Sequence, residues 1–290
     1  MSSLKSTVLI FLIPLSFNAC QQAQHRHEAQ AAIEDEILLL HTRRQSTNEQ
    51  GERKAQLHTQ EWKASETAII ICDMWDKHWC DSATQRVAAM APKLNEMIRA
   101  ARNTGVMIVH APSETMNFYK DHPARKRVLA APYAEPPTPI EPWYPLDSLR
   151  EGALPVDDSD EGCDAPGCTP QAVWTRQIAS IEIDDQDIIS DDGQEIYNYF
   201  AQEGIRNVAI CGVHTNMCVL GRSFGIRGQS IAGKNVVLIR DLTDSMYNPD
   251  MPPYVSHAEG TQKIIAHIEE HWCPSILSED FLEESTLTLQ

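Results

Sequence analysis

Positive charge is what this sequence has least of. Lys and Arg number 24 against 41 Asp and Glu, a net charge of −17, and such a balance opposes binding to phosphate backbones or to anionic membrane surfaces through bulk charge. We expect no nucleic-acid partner. A G-x-G-x-x-G turn is missing after the first strand-like run, which argues against dinucleotide binding on a Rossmann-type sheet. A comfortable membrane span is missing too, since the apolar stretch Thr7–Phe17 is too short for one. No internal repeat is visible.

What is present suits a globular enzyme-sized fold: 290 residues, 42% of them hydrophobic, enough for a substantial core. Residues 1–20 read as an export signal, with Lys5 as a short positive region ahead of the apolar stretch. Leu15-Ser16-Phe17-Asn18-Ala19-Cys20 resembles the lipobox of bacterial lipoproteins, although Phe17 and Asn18 depart from the usual residues. The expectation is an exported protein, periplasmic or anchored to a bacterial membrane only through a lipid on Cys20; ordinary secretion and a retained anchor are the alternatives.

Residues 21–36 lack an apolar period and read as a tether, leaving 37–290 as a single domain. Ile37–Trp62 is expected to add a strand or hairpin. Thr67–Cys72 is a continuous β-branched run of the kind found where both faces of a parallel sheet are covered. Leu94, Met97, Ile98 and Ala101 form one apolar helix face ending at Gly105, with Pro92 marking a first turn or a kink. Further strands are expected at Val106–Val109, Asp187–Ser190, Asn207–Cys211, Val236–Ile239 and Pro274–Leu277, with helices over Gly193–Gln202 and His257–Glu270. This alternation predicts an α/β fold: a three-layer, doubly wound, mostly parallel sheet with helices on both faces. Between about 111 and 175 periodicity gives way to clustered prolines, an insertion whose aromatics Phe118, Tyr119, Tyr133, Trp143 and Tyr144 suit either a cover over a site or anchors for a long loop.

Eight cysteines are present. Cys163 and Cys168 bracket a short loop and favour a local disulfide, because a zinc knuckle would need two more ligands. Cys72 and Cys211 sit in apolar strands and read as buried small hydrophobes.

Chemistry gathers where strands end. Asp73 follows the first core strand, Ser190-Asp191-Asp192 follows the third, and Cys218 lies in the polar turn after Asn207–Cys211, where a helix begins; such strand ends share a crevice in open α/β sheets. A thiol acts as a nucleophile in its thiolate form, which a helix N-terminus and nearby cations favour. Asp73 is placed to take its proton, and backbone N–H groups at Val213, His214 and Thr215 to hold an oxyanion.

Gly212-Val213-His214-Thr215-Asn216-Met217-Cys218-Val219 resembles the G-V-x-T-x-x-C-V signature of the isochorismatase-like cysteine hydrolases, which include nicotinamidases and related amidases. The resemblance covers roughly Thr67–Leu277, without the insertion. It implies an isochorismatase-like, Rossmann-like fold, a catalytic Cys218 and Asp73, and a cis peptide at Val213–His214. The family's third catalytic residue is a lysine after the strand matching Asp187–Ser190, and here that position reads Ser190-Asp191-Asp192. Lys77, Arg176 and Arg222 are the candidate substitutes, alongside no cation at all. Nicotinamidase-type relatives hold a divalent ion through Asp and His, for which Asp76, His78 and His110 are candidates, but their spacing matches no closed motif and no cofactor is expected. Trp75 and Trp79 are candidates for lining a substrate pocket, and His214 for a general acid or substrate contact. Asp241 and Asp244 are read as caps or ion-pair partners of Arg240.

The expected function is cleavage of a C–N bond in a small amide through a Cys218 thioester. The alternative is a non-catalytic descendant that binds a small ligand in the same crevice. Family relatives are often oligomeric, so a homo-oligomer is an expectation by resemblance.

Overall fold

The computed structural model describes residues 36–282 apart from Glu49 and Gly51; the expected export signal, Cys20 and all of the tether except Glu36 lie outside the described residues. The elements run β1 (Ile37–Thr47), β2 (Arg53–Lys63), β3 (Thr67–Cys72), α1 (Asp81–Asn103), β4 (Met107–Ala111), α2 (Met116–Tyr119), α3 (Pro123–Leu129), β5 (Ile188–Ile189), α4 (Gly193–Glu203), β6 (Asn207–Val213), α5 (Cys218–Gly221), α6 (Ile226–Ile231), β7 (Asn235–Asp244), α7 (His257–His271) and β8 (Ser275–Ile276). The strands make one eight-stranded sheet in the order β2-β1-β8-β7-β6-β3-β4-β5. From β8 to β5 every pairing is parallel, and the β1–β2 hairpin extends the β8 edge antiparallel, with Arg43 opposite Ser275.

Alternation along β3 divides the core into two layers. Ala68, Ile70 and Cys72 face Ile196 and Phe200 of α4, Ile226 of α6 and Ile264, Ile265 and Ile268 of α7. Ile69 and Ile71 face the other way, onto Leu94, Met97 and Ile98 of α1. All six residues of β3 are buried, as a strand covered on both faces requires. The fold is therefore the three-layer, doubly wound α/β sheet that the residue pattern predicts. None of the described helices is long and apolar enough to cross a membrane.

Several boundaries differ from the sequence expectation. Pro92 is not in a first turn: α1 begins eleven residues earlier, at Asp81. The missing N–H deprives the Ala88 carbonyl of its helical partner, at a place where both Ala88 and Pro92 are exposed to solvent. The insertion runs from the end of β4 to β5, longer than 111–175, and carries α2 and α3. It is anchored by a buried cluster in which the guanidinium of Arg227 donates to both Glu151 oxygens at 2.9 and 3.0 Å and His267 Nε2 lies 2.9 Å from the same carboxylate. β7 continues past Ile239 through a register shift to Asp244, which carries Asp244 up beside the Cys218 turn.

Helix ends follow local chemistry. Asp192 caps α4 by accepting from the N–H groups of Gln194 and Glu195, and Gly204 ends it at φ +73°. Ser256 and Glu259 form a capping box at the start of α7.

Candidate active site

β3 and β6 are neighbours with Cys72 opposite Gly212, so the residues just past each strand emerge side by side. Gly212 permits that closeness: at φ +102° a Cβ would stand 2.0 Å from the Cys72 carbonyl oxygen. The chain then passes through a cis peptide at Val213–His214, at the position the family resemblance implies. Thr215 N–H donates to Asp244 O at 2.9 Å, and the Thr215 hydroxyl lies 2.8 Å from that of Thr243, which donates to Gly212 O. The Asn216 amide spans to the Met246 backbone, accepting from its N–H at 2.8 Å and donating to its carbonyl at 2.9 Å. These bonds hold the turn rigidly and present a half-buried Cys218 at the start of α5.

Asp73 is completely buried and adopts φ +47°, a left-handed conformation that Asp tolerates better than most residues. Its Oδ1 accepts from Ser113 N–H at 2.7 Å. Its Oδ2 lies 3.3 Å from Arg222 Nε, and its charge acts on the neighbouring Cys218 thiol. Thus Cys218, Asp73 and Arg222 form one charge-coupled group. Burial raises the Asp73 pKa above its ordinary value, against the lowering effect of Arg222 and the hydrogen bonds. Burial also pushes the Cys218 thiol well up, and the neighbouring Asp73 charge adds to this, while Arg222 and the His214 N–H pull it down. The expected lowering of the thiol by a helix N-terminus does not dominate, because α5 is a single turn of four residues.

Of the three candidate cations, the fold brings only Arg222 to Asp73. Lys77 is exposed, and Arg176 is exposed with its guanidinium 5.3 Å from the Phe118 ring. Arg222 reaches inward because α5 stops at Gly221 and Arg222 itself is extended, at φ −59° and ψ 154°. Its Nη2 lies 3.9 Å from Glu114, and its guanidinium 5.8 Å from the Trp143 ring. The residues at the family's lysine position point elsewhere. Asp191 accepts from Glu114 N–H at 2.8 Å, Asp192 caps α4, and the Ser190 hydroxyl donates to Glu195.

Other expected roles change. Thr215 N–H is spent on Asp244, and Val213 lies in the ladder opposite Asp244, so neither fits an oxyanion donor; of the three, that leaves the His214 N–H. The three metal candidates go to separate partners: Asp76 accepts from the N–H and hydroxyl of Thr175 at 2.9 and 2.6 Å, His110 bridges Gln177 and Asp187 at 2.9 Å each, and His78 Nδ1 accepts from Cys80 N–H at 3.1 Å. Asp241 pairs with Lys93 at 2.8 Å and caps Ser278, and Asp244 pairs with Arg86 and His257, neither using Arg240.

An aromatic wall lies beside this group. Trp75 stacks on Trp174 at 4.3 Å, with His78 5.8 Å beyond, and donates from Nε1 to Ser113 O at 3.0 Å. Trp79 turns instead toward His78, at 4.9 Å, and toward the cluster around Cys80. His214 is buried against the edge of His78, both of its ring nitrogens and Trp174 Nε1 unpartnered. Burial, with His78 adding to it, lowers the His214 pKa to about 3, and burial lowers that of His78 to about 4. Sequence reasoning missed Trp174, Ser113 and Glu114, which sit in loops without periodicity; the isolated bridge of Trp75 to Gln177 is what brings Trp174 in. The insertion does lie over the Cys218 turn. Trp143 pairs with Arg222 and covers Gly221, and Tyr144 N–H donates to Gly221 O at 2.7 Å. Phe118 and Tyr133 remain exposed.

No family model matches the chain. No curated protein matches it either. Among solved structures it is similar to a cysteine hydrolase from Pseudomonas syringae pv. phaseolicola, at 16% identity and TM-score 0.46, over 76% of this chain and 92% of that one. An isochorismatase from Pseudomonas putida aligns at 14% identity and TM-score 0.43, over 75% and 91%. The MAR1 ribonuclease from Caenorhabditis elegans aligns at 10% identity and TM-score 0.41, over 75% and 80%.

Proposed function

We propose that this chain is a cysteine hydrolase that cleaves the C–N bond of a small amide, with Cys218 as nucleophile, Asp73 as proton acceptor and Arg222 in place of the family lysine. The observation that carries the reading is the contact of Arg222 with the buried Asp73 carboxylate, whose charge acts on the Cys218 thiol. A buried carboxylate with a raised pKa is a stronger base than an exposed one. As the sulfur attacks the amide carbon, the thiol proton passes to Asp73 and then to the departing amine, leaving a thioester. Water then attacks the thioester, giving its proton to Asp73. The acid leaves as the sulfur regains that proton. Arg222 stabilises the anionic stages, and the neutral His214 imidazole, which can donate and accept, suits contact with a carboxamide. Export and lipidation at Cys20 complete the proposed setting, and cell fractionation with a Cys20→Ala control tests them.

The rival, a ligand-binding descendant without turnover, draws on the upward shift of the Cys218 thiol. One experiment separates the two. Purified protein is incubated with a panel of small amides and with iodoacetamide, and adducts are followed by intact-mass spectrometry with a Cys218→Ala control. A substrate-dependent acyl adduct on Cys218, with release of amine, is expected. Alkylation no faster than that of an ordinary thiol, with no acyl adduct and no turnover on any amide, would sink the hydrolase.

A further inference from the structure

Cys163 and Cys168 are joined by a disulfide, and as two thiols they would offer a cation only half a tetrahedral site. The fold supplies more. Cys80 is fully buried just before α1, and the sulfurs of Cys80, Cys163 and Cys168 all lie within 4.8 Å of one another. Cys80 Sγ is also 3.6 Å from Oδ1 of Asp164, which belongs to the loop between the paired cysteines. Zinc bonded at about 2.3 Å to sulfur and about 2.1 Å to a carboxylate oxygen sets tetrahedral sulfur–sulfur edges of about 3.8 Å and sulfur–oxygen edges of about 3.6 Å. Once their bond is broken, the Cys163 and Cys168 sulfurs must part by about 1.7 Å to meet that shape.

The surroundings are those of a held site. Trp79, Ala83, Ala165, Met217 and Met246 pack around the sulfurs, a largely apolar and polarisable shell. Arg86 donates to Oδ2 of Asp164 at 2.8 Å, to its Oδ1 at 3.3 Å and to Asp244 at 2.8 Å, and His257 lies 3.6 Å from Asp164; contacts of this kind orient a ligating carboxylate and offset its charge. The Cys80 backbone is fixed by its N–H bond to His78.

The geometry points to a thiolate metal site for a soft divalent cation of the zinc type, built from Cys80, Cys163, Cys168 and Asp164, which the Cys163–Cys168 disulfide closes and its reduction opens. A phosphine or dithiol reductant gives the disulfide two electrons, two protons make two thiols, and the reductant leaves oxidised. The dication then displaces one proton from each of the three thiols into solvent, while Asp164 binds as the carboxylate. The occupied site ties the start of α1 to the insertion loop, within a cluster that Met217 also packs against.

The test uses the full chain, reduced with a phosphine, desalted without oxygen and titrated with cadmium as a spectroscopic stand-in and with zinc measured by elemental analysis. About one equivalent of metal per chain is expected, with a sulfur-to-cadmium charge-transfer band, and none for the chain with its disulfide intact. Cys80→Ser should weaken binding by more than the roughly tenfold that loss of an outer contact costs. In the unmutated reduced chain, zinc should protect Cys163 and Cys168 from alkylation while leaving Cys218 as reactive as before, which decides the matter even if Cys80→Ser does not fold. Binding below about a tenth of an equivalent, titration of a folded Cys80→Ser like wild type, or absence of that protection would overturn the site.

Discussion

Replacing Arg222 with Gln removes the cation beside a carboxylate that has no exposure to water. At the 3.3 Å separation of Arg222 Nε and Asp73 Oδ2, the Coulomb attraction is about 5 kcal/mol for an effective dielectric of about 20. Loss of one partner from a buried pair typically costs about 3–5 kcal/mol, most of it for the charge left behind. The folded protein escapes part of that cost by protonating Asp73, whose pKa is already raised by burial, and the variant raises it further. A carboxyl with a raised folded pKa holds its proton longer in the folded state than in the unfolded one. Stability therefore falls as pH rises between the two pKa values, by about 1.4 kcal/mol per pH unit. The expected result is a stability deficit of about 3–5 kcal/mol near pH 8 that shrinks markedly near pH 5, read by urea unfolding at both. In the double variant Asp73→Asn with Arg222→Gln the deficit should largely disappear, and Arg222→Lys should keep most of the stability. A deficit equal at both pH values, or a coupling energy below about 1 kcal/mol in that cycle, would refute the buried-pair account.

Gly212→Ala should cost about 3 kcal/mol or more, since its Cβ would stand 2.0 Å from Cys72 O, and thermal unfolding measures it. His78 and His214 stay neutral when folded, with pKa values lowered to about 4 and about 3; their contribution is complete above about pH 6.5 and is lost as pH falls, at up to about 2.7 kcal/mol per pH unit for the two together. His78→Gln should roughly halve that acid slope in denaturant titrations at stepped pH. Glu151→Gln should weaken the insertion anchor by about 3 kcal/mol, because Arg227 and His267 outweigh burial in holding the Glu151 pKa down to about 2. Limited proteolysis should then cut within 131–170 sooner than in wild type, and an unchanged cleavage rate would count against the anchor.

The layered sheet was legible because burial on both faces writes itself into the residues as continuous β-branched runs such as Thr67–Cys72, and helices as spacings such as Leu94, Met97, Ile98 and Ala101. Cys218 and Asp73 were legible as positions for the same reason: Asp73 directly follows β3, Cys218 follows β6 after the short turn His214–Met217, and β3 and β6 are neighbours. The third member of the group was not. Read as a continuous helix from Cys218, the chain leaves Arg222 as one cation among three. Only the end of α5 at Gly221 and the extended backbone of Arg222 turn that side chain back onto Asp73, and neither has a periodic signature. The acids at the family's lysine position posed the opposite problem. Asp191 and Asp192 read as charges that would suppress the thiolate, yet both are consumed as backbone acceptors.

By itself, then, the sequence determined the α/β layering, the rigid Gly-Val-His-Thr-Asn-Met-Cys turn and the two residues at adjacent strand ends, because these depend on local pattern and on neighbours in one sheet. Tertiary structure alone decided that Arg222 lies against Asp73, that Trp174 joins Trp75, and that Cys80 meets Cys163 and Cys168 across more than eighty residues of chain. Those pairings depend on the paths of loops, and a loop's path is set by what it packs against.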